Sequence, residues 1–201
     1  MFDAQDILDY WFGPLDDQGI PGAAFRNRWF SGGAAFDREI RRRFLGMLTL
    51  VSERELTHWR TRAQGWLAEI IVLDQFSRHI FRGQALAFAQ DRMALECSLE
   101  GIRKRHDASL PRVQRAFFYM PFMHAEKRDV QAHSVELFEA LSDGVTGPLA
   151  TLLEGFAQAA RDHQAIIAQF GRFPHRNQVL GRESTAEERE YLETGAARFG
   201  Q

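Results

Sequence analysis

Apolar residues return every three or four positions along nearly the whole chain, and period-two alternation bounded by turn residues is hard to find, so the pattern predicts an all-α fold. Asp3 stands ready to cap a first helix that ends at Phe12. Gly13-Pro14 then opens a stretch read as a long loop to Gly33, with an aromatic anchor at Trp29 and Phe30. Further helices are predicted over residues 35–50, 64–81, 84–105, 111–127, 130–141, 148–170 and 185–199, about eight in all, with a short helical piece around 53–60. Pro111 and Pro148 fall in first turns, where a missing N–H is tolerated. Pro121 lies inside "VQRAFFYMPFMHAE" and would meet the carbonyl of Phe117, which predicts a kink or a break.

Length and composition narrow this to a single all-helical domain over residues 1–201 with enough apolar material for its own core. A formal net charge of -2 provides no global basic field, so no nucleic-acid partner is expected and any anion site must be local. Cys97 is the only cysteine, which excludes an intrachain disulfide and a cysteine-based zinc site and points to a reducing, cytoplasmic location. The acidic start "MFDAQDILDYWFG" and the absence of an apolar run near ~18 residues argue against secretion and membrane insertion. There is no P-loop, dinucleotide glycine fingerprint or nucleophile elbow, and no cofactor or metal is expected.

Several polar residues interrupt apolar stripes. In "WLAEIIVLDQFSRHIFR" the helix is apolar nearly all round at Ile70 to Leu73, as in a central helix, yet its stripe continues into Asp74, Arg78 and Arg82. Asp91 sits on the stripe of Phe88, Leu95, Leu99 and Ile102; His124 follows Val113, Phe117 and Met120; His163 lies between Ala160 and Ile167. These residues either converge on an internal cleft that tunes their pKa values or form a structural ion-pair network tying helices together. His124 and Glu126 with His163 nominally make a two-histidine, one-carboxylate triplet, but residues two apart on a helix point about 200° apart.

A second segment, "FGRFPHRNQVLGREST", holds Arg172, His175, Arg176 and Arg182 with no acid before Glu183. Gly171, Pro174, Asn177 and Gly181 give it the chemistry of a shaped loop, and Ser184 with Glu187 has capping-box spacing for the helix that follows. Anion capture and pairing with acids of the body are the two readings of these arginines.

The segments "DYWFG", "LDQFSRHIFRG", "AFAQD", "YMPFMHAE" and "FGRFPHRNQVLGRESTAEE" together resemble the bacterial domain-of-unknown-function family 924, in order and over nearly the whole chain. The resemblance implies a tetratricopeptide-like arrangement of stacked antiparallel helical hairpins and brings no established activity. Its motif residues fall here on Asp74, Gln75, Arg78, Arg82, Asp91, His124, Glu126, Gly171, Arg172, Pro174, His175, Arg176, Asn177, Gly181 and Arg182, with His79 where asparagine is expected. The functional expectation is a small anionic ligand, or an acidic peptide end, bound in a polar cleft closed by the arginine-rich loop. One alternative is an enzyme with His124 or His163 as acid/base and Asp74 or Asp91 as the orienting carboxylate. The other is a scaffold for a protein partner without a small-molecule site.

Overall fold

The computed structural model describes residues 3–31 and 33–194. Helix α1 (Ala4–Phe12) begins where a reciprocal cap satisfies its first N–H groups: the Asp3 carboxylate accepts from the Asp6 amide and the Asp6 carboxylate from the Asp3 amide. It buries Ile7, Leu8, Tyr10, Trp11 and Phe12. The stretch expected as loop to Gly33 contains a second helix, α2 (Ala23–Ser31), because the glycine and proline punctuation ends at Gly22. Its apolar stripe is too weak to stand out in the sequence, and tertiary contacts fix it instead: Trp29 is buried and its Nε1 donates to the Trp11 carbonyl at 3.0 Å.

Helix α3 (Gly33–Ser52) presents Phe36, Ile40, Phe44 and Leu48, each four residues apart, to the core. After a 3₁₀ turn at Thr57–Thr61, α4 (Ala63–Ile70), a π-helical segment (Ile71–Phe76) and α5 (Ser77–Ile80) form one unbroken helical run. Every residue from Gly65 to Ile80 is buried, as the all-round apolar pattern predicts for a central helix. Phe76 stacks on Phe44 at 4.6 Å, and Phe117 receives Trp29 edge-on at 4.6 Å and Phe12 at 5.2 Å, so rings from five elements meet around this run.

The helix expected over 84–105 is two pieces, a 3₁₀ turn at Ala85–Phe88 and α6 (Asp91–Arg103). Asp91 therefore opens a helix instead of interrupting one, and it keeps partial exposure. Helix α7 (Arg112–Met123) passes through Pro121 and ends two residues later, short of the expected Lys127. Proline removes one donor from the ladder, and the helix nonetheless runs on until the His124 amide donates to the Met120 carbonyl at 3.1 Å. Helix α8 (Arg128–Ser142) and α9 (Gly147–Phe170) follow through short connections, and α7, α8 and α9 pack side by side.

Helix α9 stops at Gly171, which adopts φ 71°, and a 3₁₀ turn at Pro174–Arg176 leads to α10 (Ala186–Glu193). The cap of α10 is Thr185 with Glu188, one residue later than the Ser184 and Glu187 pairing expected. Ser184 instead accepts from the Asn177 side chain at 3.1 Å. The expected extension of this last helix to Phe199 lies partly outside the described residues. Among the described residues no strand occurs beyond an isolated bridge between Leu15 and Pro21, and no helix is long and apolar enough to cross a membrane.

Candidate functional site

The fully buried carboxylate of Asp74 organises the polar interior. One oxygen accepts from Arg78 Nη2 at 3.1 Å and from His124 Nδ1 at 2.7 Å; the other accepts from Gln75 Nε2 at 2.6 Å. Arg78 Nη2 also reaches Asp91 at 2.8 Å, and Arg176 Nη1 meets the other Asp91 oxygen at 3.1 Å. Burial pushes the Asp74 carboxyl up, but the charges of His124 and Arg78 and the hydrogen bonds of His124 and Gln75 outweigh it and hold it below the usual carboxylate range. Burial and then the Arg78 charge push His124 down, against the pull of Asp74. At neutral pH this leaves a neutral imidazole that gives its Nδ1 hydrogen to Asp74.

Local structure makes this arrangement. The π-helical segment carries Asp74 and Gln75, and the Ser77 hydroxyl just beyond it donates back to the Leu73 carbonyl at 2.5 Å. His124 closes the end of α7, and buried Gln131 satisfies carbonyls there and just beyond: its Nε2 donates to Met123 at 2.6 Å and Ala125 at 2.8 Å. His163 on α9 donates Nδ1 to the Ala159 carbonyl at 2.7 Å, and its ring centre lies 6.1 Å from that of His124. Burial and the neighbouring His124 push His163 down to about 3.

The arginine-rich loop is ordered and folded against the body, but its cations are engaged. Arg172 forms a two-pronged pair with Glu188 at 2.6 and 2.8 Å, and Arg182 does the same with Glu126 at 2.6 and 3.0 Å. Glu126 also accepts from the Phe173 amide at 2.8 Å, so it faces the loop and not the two histidines. Arg176 is buried between the rings of Phe88 and Phe173, each 4.5 Å away, and donates to the His124 carbonyl at 3.1 Å. Burial and then the Arg78 charge lower it to about 10. Asn177 ties Arg182 to Ser184 and Glu188, and burial pushes His175 beside it down to about 3. The loop contacts Asp91 and the end of α7, and it does not reach Asp74 directly.

A cavity of about 550 Å³ opens beside this network, between α2, the π segment with α5, α7 and α9. Arg78, Arg82, His124 and His163 line it, with Gln75 and His79. Asp74, Asp91, Glu126, Arg172, His175, Arg176, Asn177 and Arg182 do not. The loop therefore buttresses the α7 wall from behind, which corrects the expectation that it closes the cleft. Arg82 is held by Asp37, which it meets at 2.7 and 3.0 Å, and His79 contacts the same carboxylate at 2.7 Å. The Arg82 and His79 hydrogen bonds bring Asp37 below its ordinary value although burial acts the other way.

Sequence reasoning missed the α2 wall: Arg26, Asn27, Trp29 and Phe30 line the cavity on one side, with Leu152, Phe156 and Ala159 across from them. Arg26 and Phe30 stand four apart, a spacing that would have joined them on one face had the segment been read as helix. Asp37 lies on the polar flank of α3, and nothing in its local pattern marks it as the partner of Arg82.

A family model for bacterial proteins of unknown function, DUF924, matches residues 7–196. The chain belongs to this family. It is also similar to a solved structure of a protein of unknown function from Agrobacterium tumefaciens, at 38% sequence identity and a TM-score of 0.81, over 96% of this chain and 97% of that one. No curated protein matches it. Both matches concern proteins of unknown function, so they carry the fold and no activity.

Proposed function

We propose that the protein binds a small anionic molecule in the cavity between α2, α5, α7 and α9. One observation carries this reading: among the described residues, the cavity is lined by three arginines and three histidines and by no carboxylate side chain. Arg78 adds to it, because its buried Nε has no acceptor among the described residues while its side chain faces the cavity. A buried donor left without a partner is unfavourable, and a ligand oxygen would satisfy it. Arg26 contributes a guanidinium whose Nε donates to the Pro21 carbonyl at 3.0 Å and which no described carboxylate salt-bridges.

The test is thermal unfolding in anion-free buffer with added acetate or phosphate. Ligand that binds only the folded state raises the midpoint with concentration. The native chain is expected to show the rise and Arg26→Gln to lose most of it. An equal response in both, or none in the native chain, contradicts the reading.

A second reading has its own support in the Asp74–His124 pair. A buried carboxylate that fixes the Nδ1 hydrogen of a cavity-lining, neutral histidine leaves Nε2 able to take a proton, which is the arrangement of a general base. The anion site would then hold a substrate.

A further inference from the structure

We propose, resting on the anion-binding reading, that the ligand is an amphipathic monocarboxylate, its carboxylate held by Arg26 and its apolar body laid against Trp29, Phe30, Met123, Leu152 and Phe156. Charge decides the head group. Around the cavity, Arg78 and Arg176 face Asp74 and Asp91, and Arg82 faces Asp37, so each of these cations is already matched by a carboxylate. Arg26 is the unmatched cation among the described lining residues, and its fork of terminal N–H groups remains beyond the Nε bond to Pro21. One surplus positive charge fits a monoanion. The second charge of a phosphate monoester would enter a partly apolar site without a partner.

The histidines do not compete for that head group. His124 spends its Nδ1 hydrogen on Asp74 and His163 its Nδ1 hydrogen on Ala159, so neither Nε2 edge offers a hydrogen to a carboxylate while the rings are neutral.

Surface decides the body. Arg26, Trp29 and Phe30 stand at i, i+3 and i+4 of α2, which puts the guanidinium and both rings on one side of the helix. Phe30 is 60% exposed although its ring lies within 6.5 Å of Phe117 and 6.3 Å of Phe156, so a large apolar face at the cavity is left open to water. Met120 and Met123 add flexible, polarisable side chains to the lining that adapt to apolar groups of different length. Covering these faces with a hydrocarbon chain removes apolar surface on both partners, which inorganic anions cannot do.

The experiment is a calorimetric titration of the native protein at pH 7 with acetate, butyrate, hexanoate and octanoate, with inorganic phosphate and octanol for comparison. Affinity is expected to rise about fourfold for each methylene that becomes buried. Arg26→Gln is expected to weaken octanoate about tenfold or more while the free protein still unfolds cooperatively, since Arg26 is only half-buried and the native contact it gives up is the Nε bond to the Pro21 carbonyl. Phe30→Ser should flatten the chain-length dependence while acetate binding persists. Acetate or phosphate binding with no gain along the series overturns the amphipathic ligand and leaves the anion site standing. Octanol as tight as octanoate overturns the role given to Arg26. Failure of every anion to bind removes both readings together.

Discussion

Asp74 shows how one side chain can set the chemistry of a whole interior. With no exposure of its own, it holds Arg78, Gln75 and His124 at hydrogen-bond distance. Removing Arg78 would leave Asp74 with only the hydrogen bonds of Gln75 and His124 and would take one of the two arginines from Asp91, and breaking such a buried pair costs on the order of 3–5 kcal/mol. Arg78→Ala is therefore expected to lower the urea midpoint strongly, and an unchanged midpoint would show that the network contributes little. His163 predicts a pH dependence. Its folded pKa of about 3 lies below the ordinary histidine value of about 6.5, so between these limits the unfolded chain binds the extra proton. The stability it contributes is fully present above about pH 6.5 and is lost as pH falls toward the folded value, with a slope approaching about 1.4 kcal/mol per pH unit. His163→Gln should flatten the unfolding free energy against pH between 6 and 4, and an identical slope in the variant would contradict its buried, neutral state. The inward residues Asp74, Arg78, His124 and His163 were legible because each interrupts an apolar stripe. Asp37 was not, because pairing across 45 residues leaves no local mark.

At the scale of elements, most helices follow from periodicity, and the departures have identifiable physical causes. Helix α2 escaped because buried Trp29 and its bond to Trp11 hold a segment whose own stripe is weak. The break between Phe88 and Asp91 escaped because apolar spacing continues across it. The π segment escaped because inserting one extra residue per turn changes the ladder and not the composition. Close approach is equally invisible in a pattern. A Cβ on Gly65 would sit 1.8 Å from the Trp59 carbonyl oxygen, so α4 can meet the preceding 3₁₀ turn only with glycine there. Overpacking of this kind costs on the order of 1–3 kcal/mol or more when backbone must move. Gly65→Ala is expected to reduce the thermal midpoint even though alanine is the better helix former. A neutral or raised midpoint would mean that the two elements do not touch in this way.

For the molecule as a whole, α7 joins a closed back and an open front. Behind it, the loop from Gly171 to Arg182 spends its arginines on Asp91, Glu126 and Glu188, and so fixes the end of the helix that carries His124. In front of it, α2, α5 and α9 leave a cavity whose lining is cationic and apolar together. The sequence pointed to both halves of this polar system and joined them wrongly, because local charge cannot say which face of a wall a loop covers. On the proposed reading, the front cavity receives an anion. Anomalous diffraction from a crystal briefly soaked in bromide tests it most directly, since the halide reports a desolvated positive site without needing the natural ligand. A bromide peak is expected inside the cavity within contact distance of Arg26. Bromide at surface arginines alone, with the cavity free of anomalous density, would contradict it.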